Sequence, residues 1–213
     1  MMDQDRITGY IHSLDQGHGE LCDQIAREAR ASYVPIIRRE TASFLQTMVA
    51  AAAPSRILEV GTAVGYSALL MAQVMPEGCH ITTIEKYKPR IPLARDHFRQ
   101  AGMEERITLI EGDAGEVLEQ LSGTFGFIFM DAAKGQYIHW LPRVLELLKP
   151  GGVLLTDNVL QDGDIVESRF AVERRNRTIH GRMREYLYVL THTEALQTSI
   201  VPIGDGVALS VRK

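Results

Sequence analysis

Apolar residues first recur at helical spacing and then, from Arg56 onward, gather into short runs separated by helical stretches. Along 18–32, Leu21, Cys22, Ile25, Ala26 and Ala29 share one helix face among charged neighbours. Along 40–53, Phe44, Leu45, Met48 and Val49 do the same. Residues from about 3 to 53 therefore read as helical, with a break at Tyr33-Val-Pro-Ile-Ile37. Proline there removes a donor and forces extended backbone, giving a loop able to reach the rim of an active site. The later runs predict strands over 57–61, 80–85, 107–111, 125–130 and 152–156, with helices over 89–101, 114–121 and 137–148 between them. Such alternation argues an α/β, doubly wound, mostly parallel sheet with helices on both faces. Residues 199–203 and 207–211 flank a Gly204-Asp205-Gly206 turn and predict a terminal β-hairpin. No repeat or linker interrupts the chain, so residues 1–213 read as one domain whose helical extension is 1–53.

The first strand carries the most chemistry. Arg56-Ile-Leu-Glu-Val-Gly-Thr-Ala-Val-Gly-Tyr-Ser67 passes from a buried strand through Gly61 and Gly65 into a helix. That geometry turns backbone N–H groups and a helix N-terminus toward a ligand over the strand end. The spacing is not that of a dinucleotide fold, and Glu59 precedes the first glycine. A carboxylate there disfavours a pyrophosphate and suits a cationic ligand such as S-adenosylmethionine.

Each later strand also ends on a polar group: Glu85, Asp113, Asp131, and the pair Asp157-Asn158. A single acid after a strand is ordinarily a helix cap. Acids after successive strands converge on one edge of the sheet and make one pocket, to which Asp131 belongs as well. Glu85 is placed to accept from ribose hydroxyls. Asp113 and Ala114 are placed to hold the adenine edge, although Asp113 also reads as an N-cap. Asp131, Asp157 and Asn158 form an all-oxygen set suited to Mg²⁺, or to Mn²⁺ or Ca²⁺. Lys134 would overhang that pocket as a general base.

Composition narrows the class. The chain has 45% hydrophobic and 23% charged residues, two cysteines and a net charge of −4. These values suit a soluble protein without a disulfide framework, and no apolar run approaches a membrane span. The N-terminal residues lack a signal-peptide plan, so a cytoplasmic location is expected.

With these motifs in view, the sequence resembles the cation-dependent O-methyltransferases of the class I, S-adenosylmethionine-using fold, the group of catechol and caffeoyl-coenzyme A methyltransferases. The resemblance runs from about residue 30 to the end. It rests on 58–67, on Asp131-Ala-Ala-Lys134, on Asp157-Asn158 and on Pro202-Ile-Gly-Asp-Gly206. It implies a seven-stranded sheet with its last strand antiparallel. It further implies cofactor contacts at Glu59, Gly61, Ser67, Glu85 and Ala114, with Ile37 reaching in from the 34–37 segment. The metal would lie at Asp131, Asp157 and Asn158, Lys134 would be the base, and the assembly a homodimer. Ala133 departs from the caffeoyl-coenzyme A pattern, which has an acid at that place.

The stretch 169–184 departs further. It holds Arg169, Arg174, Arg175, Arg177, Arg182 and Arg184 against a lone Glu173. That is a net +5 in a chain of −4, leaving the remainder near −9. Guanidinium forks match phosphates better than neutral catechols. Thr178-Ile-His-Gly-Arg-Met-Arg-Glu-Tyr186 and Val34-Pro-Ile-Ile-Arg-Arg39 are most similar to the bacterial branch that methylates 5-hydroxyuridine at the tRNA wobble position. The resemblance thus implies the tRNA anticodon loop as partner, gripped by the six arginines, with a small catechol-like molecule as the alternative substrate.

Overall fold

A computed structural model describes residues 4–213; residues 1–3, which begin the expected helical stretch and the N-terminal segment read for a signal peptide, lie outside the described residues. Three helices lead: α1 (Gln4–Leu14), α2 (Glu20–Ala31) and α3 (Arg39–Ala52). The break between α2 and α3 falls at the expected proline segment. Tyr33 opens it in the left-handed region, at φ 54°.

Seven strands follow: β1 (Arg56–Val60), β2 (His80–Glu85), β3 (Ile107–Glu111), β4 (Phe125–Met130), β5 (Leu148–Asp157), β6 (Leu196–Val201) and β7 (Val207–Arg212). Between them run α4 (Tyr66–Val74), α5 (Ile91–Gln100), α6 (Ala114–Gln120), α7 (Tyr137–Leu147) and α8 (Arg177–His192). The sheet order is β3-β2-β1-β4-β5-β7-β6. Strands β1 to β5 pair in parallel, and β7 pairs antiparallel with both β5 and β6. The strand order reverses between β1 and β4, and crevices for ligands form at such a switch point.

Alternation along the strands divides the core. Ile57, Ile81, Phe127, Phe129 and Leu155 face α2, α3, α4 and α5. Leu58, Val60, Ile128, Met130 and Leu154 face α6, α7 and α8. Both sheet faces are dry, as the near-continuous apolar runs required.

One boundary moved. The expected strand at 152 begins four residues earlier, at Leu148. Lys149-Pro-Gly-Gly152 reads as a turn, yet the pairing with β4 absorbs it through a register shift between Phe125 and Phe127. Among the described residues no helix is long and apolar enough to cross a membrane, and Cys22 and Cys79 are buried free thiols.

Candidate active site

A cavity of about 430 Å³ opens over the switch point. Its wall includes Gly61 and Ala63 after β1, Glu85 after β2, Gly112 to Ala114 after β3, and 131–134 after β4. The volume falls in the range of small-molecule sites, roughly 300–1,000 Å³. Gly61 is required there: at φ 107° a Cβ on it would meet the Asp131 carbonyl oxygen at 2.0 Å. The loop and the β4 end touch backbone to backbone, leaving the space above them open.

The cofactor half of the cavity is built from satisfied acids. Glu85 Oε2 accepts from the Ala63 N–H at 2.8 Å, and Oε1 from the Tyr87 N–H at 2.7 Å. Asp113 caps α6 by accepting from the Gly115 N–H at 2.9 Å. That bond and Lys86 hold its carboxyl below the usual carboxylate range, against a smaller effect of burial. Asp113 thus caps the helix, as anticipated, and also lines the cavity. Trp140, the only tryptophan in the chain, closes this end and was not anticipated. Its indole nitrogen would lie 3.2 Å from a Cβ at Gly115, so the small residue makes room for it.

Three expected cofactor contacts lie elsewhere. Glu59 is fully buried behind the loop, where Ser67 and Thr83 hydroxyls donate to its two oxygens. Burial pushes it up to about 7, against the lowering effect of those donors. Ser67 is engaged by Glu59, and neither side chain lines the cavity. Ile37 packs in the core, and Pro35 is the residue of its segment that reaches the wall. The segment does arrive at the rim, with the neighbouring residue facing inward.

The side at the ends of β4 and β5 is less satisfied: Asp131 and Lys134 line the cavity, whereas Asp157 and Asn158 do not and lie behind its wall. Asp157 is pushed up to about 7 by burial and then by Asp131. Its Oδ1 is buried without a hydrogen-bond partner. Asp131 is raised by burial and lowered by Lys134, which sits on a 3-10 turn (Lys134–Gln136) in the cavity wall. Asn158 follows at φ 59°, and its Nδ2 donates to Asp205 Oδ2 at 3.2 Å. Among the described residues no three histidine, cysteine, aspartate or glutamate side chains gather as a metal cage. The oxygen set is therefore two carboxylates and one amide. An orphaned carboxylate oxygen and two buried acids, one raised further by the other, suit a hard cation, whose charge would offset the burial of both.

Aromatic residues brace this half. The buried Tyr137 hydroxyl accepts from the Ala132 N–H at 2.9 Å. Its ring lies 5.6 Å from that of Tyr186, whose hydroxyl bonds Thr156 at 2.7 Å, next to Asp157. Arg182 donates to the Gly135 carbonyl at 3.1 Å, next to Lys134. Helix α8 thus braces the turn after β4 and the end of β5.

The six arginines divide by role. Arg177 donates to the Val172 carbonyl at 3.2 Å, Arg184 to that of Glu167 at 3.4 Å, and Arg182 to Gly135. Arg175 pairs with Glu173 at 2.7 Å on the surface. Arg169 and Arg174 are exposed and make no hydrogen bond or ion pair among the described residues. Exposed Val166 and Phe170 stand beside them.

The reversed strand order, the glycine loop over it and the antiparallel terminal hairpin define a class I methyltransferase. An O-methyltransferase family model matches residues 13–213, and the chain belongs to that family. Caffeoyl-CoA O-methyltransferase 2 of Populus trichocarpa is 31% identical over 176 residues, 79% of this chain and 71% of the relative. Catechol O-methyltransferase of Niastella koreensis is 29% identical over 178 residues, 80% of this chain and 79% of the relative. The SAH-bound methyltransferase PaMTH1 of Podospora anserina superposes with a TM-score of 0.89 at 26% identity, covering 99% of this chain and 95% of that one. The protein is an S-adenosylmethionine-dependent O-methyltransferase related to the caffeoyl-CoA and catechol enzymes.

Proposed function

We propose that the protein methylates one of two vicinal oxygens chelated by a divalent cation, and that the substrate is 5-hydroxyuridine in the anticodon loop of tRNA. The observation that carries the substrate choice is the basic, aromatic-bearing surface of 166–184 next to the catalytic loops, joined to them by Arg182. Phosphates would meet Arg169, Arg174 and Arg175, while an unstacked base enters the cavity. In 5-hydroxyuridine the O5 hydroxyl neighbours the O4 carbonyl, which reproduces the two oxygens of a catechol.

Asp131, Asp157 and the Asn158 amide would hold Mg²⁺ or Mn²⁺, and Glu85, Asp113, Ala114 and Trp140 would hold the cofactor. Bound S-adenosylmethionine supplies an electrophilic methyl group, and the cation supplies Lewis acidity that lowers the pKa of a chelated hydroxyl. Lys134 takes the proton from that hydroxyl. Tyr137 and Arg182 keep the Lys134 turn in place. Exposed Tyr10, Ile11 and Leu14 on α1 support the homodimer that the resemblance implies, which light scattering would check.

The second reading is a small catechol-like substrate, favoured by the names of the caffeoyl-CoA and catechol relatives. One experiment separates them. Purified protein is titrated with unmodified and 5-hydroxyuridine-containing tRNA over a range of salt, and assayed in parallel with catechol. On the tRNA reading, replacing Arg169, Arg174 and Arg175 by alanine flattens the log K against log salt slope by about 2–3. It leaves catechol turnover unchanged. Absent tRNA binding with robust catechol methylation would select the small-molecule reading.

A further inference from the structure

A second cavity, of about 260 Å³, lies where α2 meets the first residues of α3 and α4. It shares no lining residue with the cavity over the switch point, and the chemistry above gives it no part. Its wall holds His18, Asp23, Arg27, Arg30, Arg39 and Tyr66. The volume is below the roughly 300–1,000 Å³ of sites for whole small molecules and suits one compact group.

The charged groups around it differ in what they already hold. Arg39 donates to the Asp15 carboxylate and, at 3.2 Å, to the Asp15 carbonyl. Asp15 also accepts from the Gly17 N–H at 2.8 Å, and Asp23 from the His18 N–H at 3.1 Å, so both acids have partners. Arg27 and Arg30 stand three residues apart on one face of α2. Both are exposed and make no hydrogen bond or ion pair among the described residues. The Tyr66 side chain is buried, at 2% exposure, yet its hydroxyl makes no hydrogen bond among the described residues either. Burial pushes that hydroxyl up to about 12, so it stays a donor.

His18, only 7% exposed, decides which anion fits. Gln46 donates its amide N–H groups to the Leu70 carbonyl at 3.2 Å and to Gln73 Oε1 at 2.7 Å. Gln46 Oε1 therefore accepts from His18 Nδ1, at 3.0 Å, and Nδ1 carries the ring proton. Nε2 is left buried without a hydrogen-bond partner. Asp15 Oδ2, 3.9 Å from it, is taken by Arg39. In this tautomer Nε2 accepts, and it needs a ligand atom that brings a proton. Phosphate and its monoesters combine negative charge with a titratable oxygen, of pKa about 6 in the esters, whereas sulfate and phosphodiesters have no such oxygen at neutral pH. We propose that this cavity binds a proton-bearing phosphate group: Arg27, Arg30 and Tyr66 hold its anionic oxygens, and His18 Nε2 accepts from its P–OH. The group is free phosphate or the end of a monoester.

Calorimetric titration of the purified, chelator-treated protein with potassium phosphate tests it, with SAH present to fill the cofactor cavity. Saturable binding of phosphate is expected, with potassium sulfate at least about tenfold weaker for want of the hydrogen bond to Nε2. Replacing Arg27 and Arg30 together by alanine is expected to weaken phosphate roughly 10- to 100-fold, the range for hydrogen bonds to charged groups. Both side chains are exposed and without partners, so the fold has little to lose. Tyr66→Phe removes one unpartnered hydroxyl from an otherwise unchanged ring, and about tenfold weaker phosphate is expected on the same reasoning. Ribose 5-phosphate, titrated alike, separates the two sources: binding that competes with phosphate assigns the end of a monoester, and phosphate binding alone assigns the free ion. Sulfate bound as tightly as phosphate would overturn the proposal by making the cavity an unselective anion patch. So would parent-like affinity in both variants, or no binding of either phosphate compound to the unsubstituted protein.

Discussion

The acids on the two sides of the cavity, one set in its wall and the other at and behind it, are treated in opposite ways. On the cofactor side, Glu85 and Asp113 already accept backbone N–H bonds, and Asp113 is held below its ordinary range. On the catalytic side, Asp131 and Asp157 are raised, and one Asp157 oxygen has no partner. A satisfied acid recognises a ligand by direction, whereas an unsatisfied pair requires positive charge. On the proposed reading, the neutral, hydroxyl-bearing portion of the ligand belongs to one side and the cation to the other.

The largest break in this contrast should come from Asp157→Ala. It removes the orphaned oxygen, and methyl transfer is expected to fall below detection while SAH affinity, read by calorimetry, stays within a few-fold of the parent. Substantial turnover in chelator, by either protein, would defeat the division of labour. Next in size is Lys134→Ala. Loss of a general base costs roughly 10²–10⁴-fold, and the loss should sit in kcat with cofactor affinity kept. A change confined to KM would return Lys134 to the status of a wall residue.

On the other half, Trp140→Ala should weaken SAH by roughly 1–3 kcal/mol if the indole stacks on the adenine, the range found for base–aromatic stacking. Turnover at saturating cofactor should change little. The smallest effect concerns Glu59, which belongs to neither half. Its carboxyl sits at about 7 in the folded protein against an ordinary 4.5, with burial as the main cause. The folded state therefore holds a proton that the unfolded chain releases, and this stabilising contribution is complete below 4.5 and lost as pH rises toward about 7. Glu59→Gln should flatten the stability profile of the metal-free protein between those limits, as followed by urea unfolding. An unchanged slope would assign the pH dependence to the other raised carboxyls, Asp131, Asp157 and Asp205.

Much of this architecture is legible in the sequence because buried parallel strands demand unbroken apolar runs. The ranges His80–Glu85, Ile107–Glu111 and Phe125–Met130 stand as read. The strand-end acids are legible for the same reason, since topology brings strand ends together. What a side chain faces from within a loop or helix is not periodic. Pro35 and Ile37 are two residues apart in an extended segment, and packing of Ile37 into the core decides which one lines the cavity. Trp140 looks like one more apolar position of α7 until the sheet places that helix beside α6. The bridge from Arg38 through Asp205 to Asn158 spans most of the chain, and no local spacing announces it.

Helix α8 has a further consequence. His180, Met183, Tyr186 and Leu190 turn inward at helical spacing, while Thr178, Gly181, Arg184, Glu185 and Tyr188 face solvent. One surface is tied to the reaction machinery and the opposite one is not. Exchange of outward residues could therefore redirect the enzyme toward another class of acceptor while the inward residues preserve the chemistry.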